Sequence, residues 1–340
     1  MLLLLCAGVH VLCAQQVQVS VFSLFHPTRI VLRPVGWQAL IVTSATDTGF
    51  VLNGEPQHRQ LLFALQNGVL LAQDRQASAW SVTARDGGAA EFQLEVPGKL
   101  TRLYRGQLSL RVADGQILLL LGMERETAVA SIVAAEMRAD APQEALKAQA
   151  VVTRSFLATS GHHAGFDFCD TTHCQFLKSP PPAASPVWRA VEATRGQVLI
   201  YRGQTLAALY SSRCGGRTRS LREAGLQAAN ASADNYPYFA VDCPWCHKHP
   251  LLWRRTASAP PPAPGNERAR IQWDRQKGWS ALPGSNYTLA AHGSSWQVEG
   301  HNAGHGLGLC QMGAIGMAES GSEYRQILLH FYPNTEVARR

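Results

Sequence analysis

Glu136 stands in the run Ala134-Ala135-Glu136-Met137, an acidic residue held among small and apolar neighbours. A carboxyl partly removed from water keeps its proton closer to neutrality, the state in which it can protonate a glycosidic oxygen. The plainer reading of the same residue is an exposed surface acid. A second group is dense in thiols and imidazoles, with His162, His163, Cys169, His173 and Cys174 falling just ahead of Gln175. Thiolates and neutral imidazoles are the ligands that Zn2+ prefers, and a single loop supplies them here. A local disulfide between Cys169 and Cys174 is the competing account.

Two further segments carry reactive side chains. Gly304-His305-Gly306-Leu307-Gly308-Leu309-Cys310-Gln311-Met312-Gly313 sets a histidine and an amide among glycines, where backbone can approach a ligand closely. A dinucleotide loop would need a following strand-helix-strand unit, which a segment so near the C-terminus lacks, so no nucleotide is expected. A structural glycine turn is the alternative. Cys243-Pro244-Trp245-Cys246-His247 matches the C-x-x-C-H pattern of covalent haem attachment, although no other feature calls for haem. Disulfide pairing among Cys214, Cys243, Cys246 and Cys310 is its rival, and the sequence does not choose between the possible connectivities.

The elements that must position these groups follow from periodicity. Short β-rich runs (17–22, 39–43, 61–63, 107–112 and 116–121) alternate with Gly, Asp and Asn turns, which predicts an all-β first part. The first strong helix is expected after Asp140, which can cap it, with Pro142 in the first turn, and it should reach about residue 160. Ala145, Leu146, Val152, Phe156 and Leu157 form its apolar face, and Lys147 and Arg154 share the opposite side. Two cations so spaced can act together; a solvated helix face is the bland equivalent. Strand-like runs return at 196–201 and 206–211, followed by a loop-rich stretch containing Pro260 to Pro264 that reads as an exposed insertion. A short helix from Gln311 to Glu319 and a final amphipathic helix carrying Tyr324, Ile327, Leu328 and Phe331 close the chain.

A chain of 340 residues can bury a full core. Residues 1–14 read as a secretory signal, apolar but too short to cross a bilayer, although no Lys or Arg precedes Arg29 to form the usual positive n-region. Later apolar runs are of strand length, so no membrane span is expected. Export would make disulfides admissible for the six cysteines beyond the signal. The net charge of +7 suits a polyanionic partner. Scattered cations with no arginine-rich helix or aromatic-basic stripe argue against nucleic acid and favour an anionic glycan wall.

The order of motifs carries a resemblance. It runs from Ala135-Glu136-Met137 through Glu144 to Ala150 and Arg154, then Cys169-Asp170-Thr171-Thr172-His173-Cys174-Gln175. Thr194 to Leu199, Tyr210 to Gly216, Tyr236-Pro237-Tyr238, Gly304 to Gly308 and Gln311 to Ala314 follow. This set resembles the SpoIID family, also called SpoIID/LytB, of sporulation lytic transglycosylases and amidase enhancers. With the signal read at 1–14, a β-rich module at 15–123 and a Pro-rich insertion near 257–266, the resemblance implies an α+β protein whose mixed α/β catalytic region, at 124–340, surrounds a central cleft. It implies that Glu136 is the catalytic glutamate and that Lys147, Arg154, His173, His305 and Gln311 line or support the cleft. It also implies a zinc site at His163, Cys169 and Cys174. The activity implied is cleavage of peptidoglycan between MurNAc and GlcNAc, on strands already stripped of stem peptides, leaving a 1,6-anhydro sugar. The non-catalytic branch of the family implies instead a glycan-binding enhancer of an N-acetylmuramoyl-L-alanine amidase. Cys310 where a serine is usual, the Cys246-His247 pair and the Pro-rich insertion depart from the pattern.

Overall fold

The structure, a computed structural model, describes residues 16–46, 49–159, 163–171, 174–226, 236–278 and 280–340. The segment read as a signal and His173 both lie outside these residues. The fold is α+β, as the resemblance implies, and the chain divides into two units. One holds residues up to Ala128 together with 163–174; the other holds 129–162 and 175–340. Among the described residues no helix is long and apolar enough to cross a membrane.

The first unit is a single sheet. Its strands are β1 (Gln16–Val21), β2 (Arg29–Pro34), β3 (Leu40–Thr43), β4 (Phe50–Leu52), β5 (Leu61–Gln66) and β6 (Val69–Ala72). They continue with β7 (Arg75–Ala77), β8 (Ala79–Ala84), β9 (Ala90–Val96), β10 (Leu100–Ala113) and β11 (Gln116–Glu124). Period-two alternation builds its core: Ala90, Phe92, Leu94 and Val96 of β9 are buried while the residues between them are not. β10 serves several neighbours, pairing with β9 through Gly106 and with β11 from Gln107 onward. At that change of partner a Cβ on Gly106 would lie 2.4 Å from the carbonyl oxygen of Gly122. Gly106→Ala should therefore lower the stability of this unit by about 1–3 kcal/mol, read as the urea midpoint; an unchanged midpoint would contradict the close approach. The two-residue strand β12 (Phe168–Cys169) adds in parallel to the edge of β1, with Val19 opposite Phe168 and Ser20 opposite Cys169.

The helix predicted after Asp140 is present as α2 (Gln143–Thr159), with Asp140 in the preceding turn, exposed and ion-paired with Arg138 at 3.3 Å. A helix absent from the sequence reading precedes it, α1 (Arg125–Glu136), so Glu136 closes a helix instead of sitting in a connecting segment. Ala128 to Val133 are buried without a break, which leaves α1 no polar face and erases the 3.6-residue signature. α2 is likewise buried all round from Ala145 to Leu157 except at Lys147. It packs against α3 (Pro186–Ala193), β13 (Gln197–Tyr201), α6 (Gln311–Glu319) and α7 (Tyr324–Phe331). β13 lies between β14 (Gln204–Thr205) and β20 (Glu336–Arg339), both antiparallel to it.

The region expected to be loop-rich folds as a small layer of its own. β16 (Trp253–Ala257), β17 (Tyr287–His292) and β18 (Ser295–Gly300) form an antiparallel sheet with β18 central, and α5 (Glu267–Lys277) accompanies it. Trp253, Leu282, Tyr287 and Val298 make its core. Among its described residues, the Pro-rich stretch 258–266 and the connection 280–286 from α5 to β17 are irregular.

Candidate functional site

Glu136, at the C-terminal end of α1, is half-buried in the second unit. Burial pushes its carboxyl above the ordinary glutamate range, and a hydrogen bond from Gln311 and the charge of Lys178 offset this only in part. Gln311 is the first residue of α6. Its position follows from the parallel ladder of β15 (Tyr210–Ser211) with β19 (Leu309–Cys310), which sets Ser211 beside Cys310, and from the Met312 N–H bonding the Ser212 carbonyl at 3.1 Å. The Gln311 amide also donates to Gln149 Oε1 at 3.4 Å, and the Gln149 amide donates to Thr153 Oγ1 at 3.3 Å. Gln149 is fully buried on α2, so a fixed chain of amides ends at the carboxyl.

Tyr210 completes the surroundings. Its hydroxyl donates to Gln175 Oε1 at 2.6 Å; burial first, and then the charge of Glu136, hold the phenol in its neutral form. His305 accepts the Leu307 N–H on Nδ1 at 3.0 Å and hydrogen-bonds the backbone of Tyr210. Burial lowers its pKa, so it stays neutral and clamps the glycine turn to β15. A carboxyl that burial makes slower to ionise as pH rises, beside a neutral phenol and a donor amide, is suited to proton transfer to a neutral oxygen.

The two helix cations differ from the sequence expectation and do not share a solvent-facing side. Arg154 is 1% exposed and donates to the carbonyls of Gln197 at 3.0 Å and Val191 at 3.3 Å, tying α2 to β13 and α3. Lys147 pairs with Glu144 at 2.6 Å and lies 5.7 Å from the Tyr324 ring, at the junction with α7. Among the described residues, the cation acting on Glu136 is Lys178, which sequence reasoning passed over because it stands alone before a proline run. Tyr210 opens the Tyr210 to Gly216 motif, but nothing in the sequence assigns it a role beside the carboxyl.

In the first unit, His163, Cys169 and Cys174 bring their ligand atoms within 4.8 Å of one another, with His163 Nε2 3.0 Å from Cys174 Sγ. β12 fixes Cys169 in the sheet, and the ring of His163 stacks on Phe166 at 4.4 Å. Next to Cys169, Asp170 accepts from the Phe22 N–H and from Arg102, each at 3.1 Å, and burial nevertheless raises its pKa to about 6.

Gln311→Ala removes a donor that favours the ionised carboxyl, so the pKa of Glu136 should rise further and the alkaline limb of a pH–rate profile should move to higher pH. A limb that stays in place would disconnect Gln311 from the carboxyl.

Residues 113–201 match the SpoIID family model, described as stage II sporulation protein, a span that includes Glu136, α2 and the Cys/His loop. The chain is 26% identical over 271 residues to an uncharacterized protein of Brachyspira hyodysenteriae, covering 69% of this chain and 72% of that one. It is also 26% identical over 260 residues to stage II sporulation protein D of Bacillus amyloliquefaciens and of Bacillus subtilis, covering 63% of this chain and 74% of each relative.

Proposed function

We infer, from the premise that this chain belongs to the SpoIID family, that it is an exported protein acting on the bacterial cell wall as a lytic transglycosylase. The observation that carries this reading is the half-buried carboxyl of Glu136, whose pKa burial raises above the ordinary glutamate range and to which Gln311 is hydrogen-bonded.

The chemistry needs one carboxyl group. Hydrolytic glycosidases use two, the second to attack the sugar or to activate water. In transglycosylation Glu136 gives its proton to the bridging oxygen as the bond from the MurNAc anomeric carbon to GlcNAc breaks. The C6 hydroxyl of the same MurNAc bonds to that carbon, and its proton returns to Glu136, which regenerates the acid. Gln311 orients the carboxyl, and the charge of Lys178 stabilises it while ionised. Tyr210, fixed by Gln175 and His305, offers a neutral hydroxyl to the sugar. Lys147, Arg154 and His305 then act as positioning residues that hold the helices and the turn.

His163, Cys169 and Cys174 form a donor set suited to zinc, and these three residues would hold it. A bound ion there would fix the loop and offer an open coordination position.

Purified protein incubated with wall glycan stripped of stem peptides should release fragments ending in 1,6-anhydroMurNAc. Binding without release, together with undiminished stimulation of an N-acetylmuramoyl-L-alanine amidase by Glu136→Gln, would assign the protein to the enhancer branch instead.

A further inference from the structure

Four cysteines play no part in the reaction described above. Cys214 follows β15, Cys243 caps α4 (Pro244–Lys248) with Cys246 inside it, and Cys310 caps α6. All four are buried, and their sulfurs lie within 4.8 Å of one another. All four also lie beyond residue 201, where the family match ends.

The arrangement matches one ion better than two separate pairs. Four thiolates around a tetrahedral zinc at about 2.3 Å stand roughly 3.8 Å apart, and Cys246 Sγ lies 3.5 Å from Cys310 Sγ. Backbone amides converge on the sulfurs as well. The N–H groups of Cys214 and Gly313 reach Cys310 Sγ, each at 3.3 Å, that of Cys246 reaches Cys243, and that of Gly215 reaches Cys246. Neutral thiols and disulfide sulfurs are weak acceptors, whereas metal-bound thiolates gain from such donors. The N-terminus of α6 adds its dipole at Cys310. The packing leaves little slack, since a Cβ on Gly313 would lie 2.6 Å from Cys243 Sγ and one on Gly316 would run into the Trp245 ring.

We propose that Cys214, Cys243, Cys246 and Cys310 form a closed, structural tetrathiolate zinc site that pins the loop after β15, α4 and the start of α6 to one another. On binding, four S–H bonds give way to four Zn–S bonds and four protons leave to solvent, with no change of oxidation state. Disulfides among the same thiols would need an oxidant. Cys243-x-x-Cys246 is then a metal knuckle and not a haem attachment; His247 packs against the Cys214 turn, its ring 2.9 Å from where a Gly216 Cβ would be. Because Gln311 follows Cys310 directly, the ion would also steady the amide that orients Glu136. This last consequence rests on the catalytic reading, whereas the metal site does not.

The test uses the full chain carrying Cys169→Ser and Cys174→Ser, which removes the other candidate ligands. The expected result is one zinc per chain by elemental analysis, and four thiols that resist alkylation until the protein is denatured with chelator. Replacement by Co2+ should give the intense thiolate charge-transfer and tetrahedral d–d bands of an S4 site. Adding Cys246→Ser should abolish metal retention, and the same alkylation pattern read on the wild-type chain covers the case in which the serine variants fold poorly. Isolation with these cysteines joined as two disulfides, failure of the reduced protein to retain zinc, iron in place of zinc, or a Soret band would each overturn the proposal. None of these results depends on glycan cleavage, so the metal site and the catalytic reading fail separately.

Discussion

Glu136→Gln is expected to reduce glycan cleavage by roughly 10²–10⁴-fold, the usual contribution of a positioned general acid, while leaving a folded protein. The substitution keeps an amide of nearly the same shape beside Gln311 and removes the only group assigned to proton transfer. Its stability should change in the opposite direction to its activity. The folded-state pKa of Glu136 is raised above the ordinary glutamate value of 4.5, so between the two values the native state holds a proton that the unfolded chain releases. The stability associated with this group is complete below the unfolded pKa and is lost as pH rises through the folded one. Glutamine carries no such loss. The variant should therefore melt higher than the wild type at pH 7, and the gap should close as the pH falls below about 4.5. Equal melting temperatures at both pH values would show that the carboxyl is not held against ionisation.

Arg270→Met is expected to cost about 3–5 kcal/mol, the largest stability loss predicted for a single change in this chain. Arg270 lies on α5 between Glu267, three residues before it, and Asp274, four residues after it, and it pairs with both. Asp274 is fully buried and Glu267 is 3% exposed. Burial pushes Glu267 upward, but Arg270 and then Ser285 outweigh it and hold the carboxyl below its usual range. Burial prevails at Asp274, whose pKa is raised although it pairs with Arg270 and accepts the Leu282 N–H at 3.0 Å. Removing the guanidinium leaves two carboxylates buried without their cation, and the Leu282 carbonyl loses a donor at 3.1 Å. Protonation relieves the repulsion, so the loss should be largest near pH 7 and shrink toward pH 4. Urea unfolding at the two pH values measures this directly. A loss below about 1 kcal/mol at pH 7 would mean that water reaches the cluster and screens it.

What the sequence reveals depends on how each element is exposed. Strands that face the core on one side alternate visibly, as β1 does, and α7 keeps a clean amphipathic stripe, although the sequence reading does not single out β9, which alternates as well. Elements buried all round have no second face to mark their period, and α1 is hidden because it also lacks a starting signal such as the Asp140 and Pro142 that precede α2. The same effect misleads at Arg154: helical spacing sets it opposite the apolar residues, but α3 and β13 cover that side too and take its donors through their carbonyls. The layer from Trp253 to Gly300 is obscured because α5 is mostly charged and its buried polar cluster looks like a solvated face. Within the candidate site, Glu136 and Gln311 are far apart in sequence; the ladder of β15 with β19, the packing of α6 on α2 and the Gln311–Gln149 bond fix where the amide lies. Lys178 acts through proximity alone, for which single-sequence spacing carries no signal, and the motif that holds Tyr210 does not say that it faces the carboxyl.

The central claim is that one buried carboxyl serves a sugar that displaces its own leaving group. It is tested most directly by digesting stripped glycan strands with the purified protein in H2-18O and weighing the new ends by mass spectrometry. The account predicts anhydro termini that carry no 18O, because the incoming oxygen is the C6 hydroxyl of the sugar itself. Termini that each gain one 18O would show that water attacks the anomeric carbon, and a single-carboxyl transglycosylase would be the wrong description.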